Sequence, residues 1–209
     1  PAVAAGKFYS GDARTLARDV DHLLGAAAPV GMTRAPKMLV VPHAGYVYSG
    51  PVAAQAYALL APWRGHIRRV VLLGPAHRVA IWGLAWPDVS AFTTPLGRVE
   101  LDPDARSRLR GLSQVRVNAE AHAQEHSLEV QLPFLQRTLG SFTLVPRAVG
   151  EASARQVAQV LERLWGGDET LVVISTDLSH YLGYAQAQAR DRATVERILQ
   201  LDPALDPAQ

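Results

Sequence analysis

The sequence predicts a layered α/β sandwich, with a largely parallel or mixed central sheet flanked by helices. Three short apolar runs, at 38–41, 70–73 and 171–174, are continuous and largely aliphatic. Such runs are typical of strands that are buried on both faces. Segments with helical spacing of apolar residues alternate with them, and no repeat or linker interrupts the pattern. We therefore expect one domain over residues 1–209.

Five helices are predicted from capping residues and apolar spacing. Asp12 is an acidic N-cap for a helix over 13–24. The triplet Ser49-Gly-Pro51 predicts the start of a second helix, which ends near Leu60. The remaining three helices are expected over 127–139, 152–164 and 185–199.

Weaker strand signals occur at 115–117 and 142–149, and the stretch 81–91, which has three prolines nearby, is interpreted as irregular or as an edge strand. The polar segment 201–209, which is punctuated by proline, carries no predicted element.

Composition excludes several function classes. No apolar run approaches the roughly 18 residues that a membrane span requires, and the N-terminus does not resemble a signal peptide, so we expect a cytoplasmic protein. The net charge of +2 and the scattered arginines give no support for nucleic acid binding. Because cysteine is absent, a metal site within these residues must use histidine, aspartate or glutamate.

Histidines follow all three central runs. His43 follows the first run, His77 the second, and Asp177 and His180 the third. In open α/β sheets the ligand crevice lies beyond the carboxyl ends of the strands, so these side chains are expected to converge. Imidazole and carboxylate groups suit divalent iron, zinc or manganese. Beside them, Gly45 and Gly74 would allow close approach of the backbone.

A further cluster, His122-Ala-Gln-Glu125-His126, matches the H-x-x-E-H pattern of zinc proteases. That pattern requires one continuous helix, but the regular leucine spacing begins only after Ser127. The alternative is that Glu125 and His126 cap the next helix and support the metal ligands from behind. We assign Glu125 this supporting role and count His126 among the candidate catalytic residues.

Taken together, these segments resemble the Memo family, the B component of the AmmeMemoRadiSam group. The matching segments occur in the family's order and span essentially the whole chain: 1–9, 42–50, 73–77, 125–134 and 175–181.

This resemblance implies a fold similar to class III extradiol dioxygenases, whose non-haem iron is held by two histidines and a carboxylate. His43 and His77 resemble the two histidine ligands, and His180 resembles the acid/base histidine, with Asp177 close by. The third ligand in Memo proteins resembles a cysteine in a C-terminal Cys-Gly motif. This sequence has no such cysteine, and we expect the domain to lack its C-terminal part. An AMMECR-like protein and a radical SAM protein are the partners that the resemblance implies.

Three functions follow as hypotheses. The first is an oxidoreductase similar to dioxygenases, which binds Fe(II), or alternatively copper or zinc, and acts on a small molecule. The second is a protein without catalysis that binds a peptide or an anion in a vestigial dioxygenase pocket, for which the helix N-terminus near Gly50 supplies an anion-binding dipole. The third is a zinc hydrolase that uses His122, Glu125 and His126.

Overall fold

The computed structural model describes residues 2–201, which divide into two compact units after Thr176. Within these residues, the first unit holds eight strands and six α-helices, and the second holds one further helix, α7 (Tyr184–Leu199). Apart from Leu201, the tail at 201–209 lies outside the described residues, as does Pro1.

Six strands form the central sheet, in the spatial order β1-β8-β2-β7-β3-β6. The first four of these are mutually parallel, whereas β3 runs antiparallel to β7 and β6 runs parallel to β3. The sheet is therefore mixed, with a parallel centre, as the sequence predicted. Its strands are β1 (Met38–Val41), β2 (Arg69–Pro75), β3 (Leu84–Trp86), β6 (Val115–Val117), β7 (Thr143–Val149) and β8 (Thr170–Ser175).

The helices of the first unit cover both faces of this sheet. One face packs in a hydrophobic cluster with α1, α2 and α5, and the other packs with α3 and α6. Along β2, Val70 and Leu72 belong to the first cluster while Val71 and Leu73 belong to the second. Both faces of β2 are buried, which explains its continuous apolar run. The helices are α1 (Ala13–Ala26), α2 (Tyr46–Ala58), α3 (Ala105–Arg108), α4 (Glu120–Ala123), α5 (Leu132–Leu139) and α6 (Ala154–Leu164).

Local capping explains where two helices begin. The Asp12 carboxylate accepts a hydrogen bond from the Thr15 N–H at 2.8 Å, as expected of an acidic N-cap. Ser153 and Gln156 form a reciprocal capping box at the start of α6. Both pairs satisfy amide groups that the first helical turn leaves without a partner.

Two predicted helix starts were wrong. α2 begins at Tyr46, after Gly45 as N-cap, and Pro51 lies inside the helix instead of at its first position. α5 begins at Leu132 after a short 3-10 turn, because Pro133 has no N–H to continue an α-helix from the preceding turn. Both differences change the distance along the chain between a helix N-terminus and a candidate histidine. The N-terminus of α2 lies closer to His43, and that of α5 lies farther from His126.

The stretch 81–91 was also interpreted incorrectly as irregular or as an edge strand. β3 lies inside the sheet between β7 and β6. A two-stranded hairpin of β4 (Ala91–Thr94) and β5 (Gly97–Glu100), which the sequence analysis did not predict, follows it. Across residues 2–201, no helix combines the length and apolar character needed to cross a membrane.

Candidate metal centre

His43 and His77 lie at the carboxyl edge of the parallel strands. β1 ends at Val41 and β2 ends at Pro75, so each histidine is the second residue after its strand. β8 lies between these two strands, and all three run in the same direction. The two imidazole rings approach with their centroids 5.2 Å apart. The predicted convergence of these two residues is therefore observed.

His126 completes a group of three imidazoles. Its ring centroid lies 4.8 Å from that of His77 and 5.6 Å from that of His43. One ring nitrogen from each histidine falls within 4.8 Å of the other two. From the sequence, His126 was predicted to be a catalytic residue and not a metal ligand. Three imidazoles form a donor set that suits zinc, copper or iron, so the residues present fit a divalent metal.

Glu125 supports this group from behind. Its buried carboxylate accepts hydrogen bonds from the His77 backbone N–H at 2.6 Å and from His77 Nδ1 at 2.9 Å. It also accepts from the N–H groups of His126 and Ser127, at 2.9 and 2.8 Å. Because His77 Nδ1 donates to Glu125, Nε2 is the ring nitrogen left for a metal.

The pKa of the Glu125 carboxyl lies below its ordinary value. Burial is the largest single influence and raises the pKa. The hydrogen bonds from the backbone and ring of His77 and from the Ser127 backbone stabilise the charged form and together outweigh burial. The histidine cluster is thus backed by an ionised carboxylate.

A second hydrogen-bond network orients His43. Ser175 Oγ donates its one hydrogen to the Ser127 carbonyl at 2.7 Å, and it also receives a hydrogen bond from Gln131 Nε2 at 2.9 Å. His43 Nδ1, 2.9 Å from the same oxygen, must therefore be the donor. This fixes the tautomer in which Nε2 carries the lone pair. Gln131 is itself held by the Tyr57 hydroxyl at 2.9 Å and by the Pro42 carbonyl at 2.9 Å.

The N-terminal segment packs against the third histidine. The Phe8 ring stacks on His126, with centroids 4.2 Å apart. This segment is anchored by Glu129, which accepts hydrogen bonds from the N–H groups of Val3 and Ala4 and from the Tyr9 hydroxyl. Burial, followed by the hydrogen bond to Glu129, raises the pKa of Tyr9 well above its ordinary value. No local signal in the sequence indicates this role of Glu129.

His122 does not belong to the cluster. α4 ends at Ala123, so the three residues of the H-x-x-E-H pattern do not share a continuous helix. His122 Nε2 lies 3.1 Å from the Ala85 carbonyl. Burial lowers the pKa of His122 to about 4, so the ring is neutral near pH 7. The zinc hydrolase hypothesis therefore lacks the geometry that it requires.

Asp177 and His180 belong to the second unit. Within it, His180 is exposed, and its Nδ1 lies 3.0 Å from the Leu178 carbonyl. The Ser179 N–H donates to Asp191 at 3.0 Å, a contact that the sequence analysis did not anticipate. The catalytic roles assigned to Asp177 and His180 stay predictions.

Fold and site together define a layered α/β protein with a cluster of three histidines, compatible with a metal site, at the carboxyl edge of its sheet. The family model for Memo-like proteins matches residues 1–205. A MEMO1 family protein of Methanopyrus kandleri is 42% identical over 98% of this chain and 76% of its own length. Others, from Ignicoccus hospitalis and Aquifex aeolicus, are 38% and 36% identical over 97% of this chain, and 76% and 74% of their own lengths. The chain belongs to the Memo-like family.

Proposed function

We propose that this protein is a metal-dependent oxidoreductase similar to the extradiol dioxygenases, with His43, His77 and His126 as ligands of Fe(II), or alternatively copper or zinc. The observation that carries the proposal is the convergence of three ring nitrogens within 4.8 Å. Glu125 and Ser175 support it, because they hold the tautomers of His77 and His43 that leave Nε2 for a metal.

The metal and the side chains around it have separate roles in the proposed site. Iron or copper, when bound, would supply Lewis acidity and one-electron chemistry toward O₂ and a chelating small molecule. Glu125 keeps His77 and His126 in place. Phe8, stacked on His126, limits the access of water to that ring.

A proton must also move in such a reaction, and we assign this task to His180. Its Nδ1 donates to the Leu178 carbonyl, which leaves Nε2 as the basic nitrogen. Asp177 is the residue proposed to orient it. The AMMECR-like and radical SAM companions implied by the family resemblance are the proposed protein partners.

Oxygen consumption by iron-loaded protein in the presence of catechol tests the proposal. We expect uptake of O₂ that depends on catechol and is lost in His77→Ala. His66→Ala, on an exposed loop, is the matched control and should retain the activity. Iron-loaded protein that consumes no O₂ with any catechol of a substituted series would contradict the oxidoreductase assignment.

A second candidate is the binding of an anion or an acidic peptide at the same edge. It is favoured by the start of α2 at Tyr46, three residues after His43, where the helix dipole attracts negative charge. Calorimetric titration of metal-free protein with a short acidic peptide separates the two candidates. Heat of binding with no oxygen consumption would favour this second function, and absence of heat would exclude it.

A further inference from the structure

A second pocket, built from different residues, lies on α3 and β6. It has a volume of about 640 Å³, which is within the range of small-molecule sites. Trp86, Leu109 and Val115 supply apolar surface. None of the three histidines of the candidate metal centre lines this pocket.

The charged residues that line this pocket are all basic. Arg106, Arg110 and Arg116 line the pocket, and all three are exposed. Among the described residues, no acidic side chain lines it, and none lies within salt-bridge distance of these arginines. Arg116 Nε donates a long hydrogen bond, of 3.5 Å, to the Ser113 carbonyl. Three guanidinium groups are thus available to a ligand.

A fourth guanidinium lies behind the pocket. Arg147 is fully buried, and its Cζ lies 3.8 Å from the ring centroid of Trp86, which also lines the pocket. Its Nη1 donates to the Pro146 carbonyl at 2.8 Å. Within residues 2–201, its Nε and Nη2 have no hydrogen-bond partner, and no carboxylate forms an ion pair with it. A buried charge without a counter-ion is costly. This guanidinium therefore adds an uncompensated positive charge next to Trp86, on the wall of the pocket.

We propose that this pocket binds a small phosphate monoester with a planar or apolar organic body. The arginines match the oxygens of a phosphoryl group, since the guanidinium fork donates two parallel hydrogen bonds. A phosphomonoester carries nearly two negative charges near pH 7, which suits several arginines better than a single carboxylate does. The pocket is larger than inorganic phosphate would fill, and part of its wall is apolar. The ligand should therefore carry an organic group beside its phosphate. This site is independent of the proposed metal-dependent activity.

Isothermal titration of the whole chain with adenosine 5′-monophosphate tests the proposal, with adenosine and inorganic phosphate as comparison ligands. We expect the monophosphate to bind more tightly than either comparison ligand. The double variant Arg106→Ala/Arg110→Ala should weaken it by at least about tenfold, because two charged hydrogen-bond donors are lost. Arg14→Ala/Arg34→Ala removes the same charge from exposed positions outside the pocket and should leave the affinity unchanged.

Tryptophan fluorescence locates the ligand. We expect the monophosphate to quench the fluorescence of the wild type, and Trp86→Phe to remove most of that quench. Absence of binding, equal binding of inorganic phosphate and the monophosphate, an unaffected double variant, or a quench that persists in Trp86→Phe would each overturn the proposal. Metal content should be the same in wild type and in the double arginine variant, which separates this test from that of the metal site.

Discussion

At the scale of single residues, Glu125 connects His77 to the backbone that carries His126. One carboxylate receives the backbone and ring N–H groups of His77 and the backbone N–H groups of the next two residues. Ser175 has the corresponding role for His43. Such outer partners set the tautomer and orientation of metal-ligating histidines.

Replacing Glu125 tests this role. Glu125→Gln puts an NH₂ group where only acceptors fit, so His77 loses part of its support. We expect metal affinity to fall by about 10- to 100-fold, as is usual when an outer partner of a ligand is removed. Competition with a chelator measures the change. Glu120→Gln, an exposed change in the preceding helix, should have no effect, and equal affinity in both variants would refute the role.

The lowered pKa of His122 predicts that the stability of the protein depends on pH. Burial, assisted by the charge of Arg147 and opposed by the hydrogen bond to Ala85, lowers its pKa from 6.5 to about 4. Between these values the unfolded chain binds a proton that the folded chain does not. The free energy of unfolding should therefore decrease as the pH falls from 6.5 to 4, by up to about 3 kcal/mol from this residue.

Chemical denaturation of wild type and His122→Gln across this pH range isolates that contribution. The variant should lose less stability on acidification than the wild type does. His66→Gln is the exposed control. Parallel pH profiles for wild type and His122→Gln would show that the buried ring does not resist protonation.

At the scale of elements, the end of β2 packs tightly against the segment that carries His126. A Cβ atom on Gly74 would lie 2.8 Å from Ser127 Oγ and 3.2 Å from Ser127 Cβ. A Cβ on Gly45 would meet its nearest neighbour, the Phe8 carbonyl oxygen, only at 3.6 Å. Of the two glycines that the sequence singled out for close approach, Gly74 is the one that requires it.

Gly74→Ala should consequently disturb the centre while Gly45→Ala should not. We expect Gly74→Ala to cost about 1–3 kcal/mol of unfolding free energy through overpacking, and to weaken metal binding because Ser127 bonds both Glu125 and Ser175. Gly45→Ala should cost less than about 1 kcal/mol. Thermal unfolding and metal content check both variants, and a similar loss in the two would show that the contact at Gly74 is not special.

Elements with strong local signals could be predicted from the sequence. β2 and β8 have continuous apolar runs because both of their faces are buried, and Asp12 marks the start of α1. β3 was not predicted because three residues between Gly83 and Pro87 carry little pattern, and its place inside the sheet depends on pairing with β7 and β6. The start of α2 at Tyr46 was not predicted, because Ser49-Gly-Pro51 resembles a helix start although it lies inside the helix.

At the scale of the whole molecule, the site joins residues that are far apart in sequence. His43 and His77 were predictable, since parallel strands end at one edge of a sheet. His126 was not placed among the ligands, because it belongs to no strand and reaches the edge through the packing of the segment before α5. The burial of Arg147 beside Trp86 was likewise invisible, since it depends on the register of β7 with its neighbours.

Elemental analysis of protein purified without chelators, with single variants at each histidine, tests whether the histidine cluster holds a metal. We expect about one divalent metal ion per chain in the wild type, and loss of this metal in His43→Ala, His77→Ala and His126→Ala. His122→Ala, four residues from His126 but outside the cluster, should retain the metal. Wild-type protein without metal, or a His126→Ala variant that keeps its metal while His122→Ala loses it, would show that His43, His77 and His126 do not form a metal site.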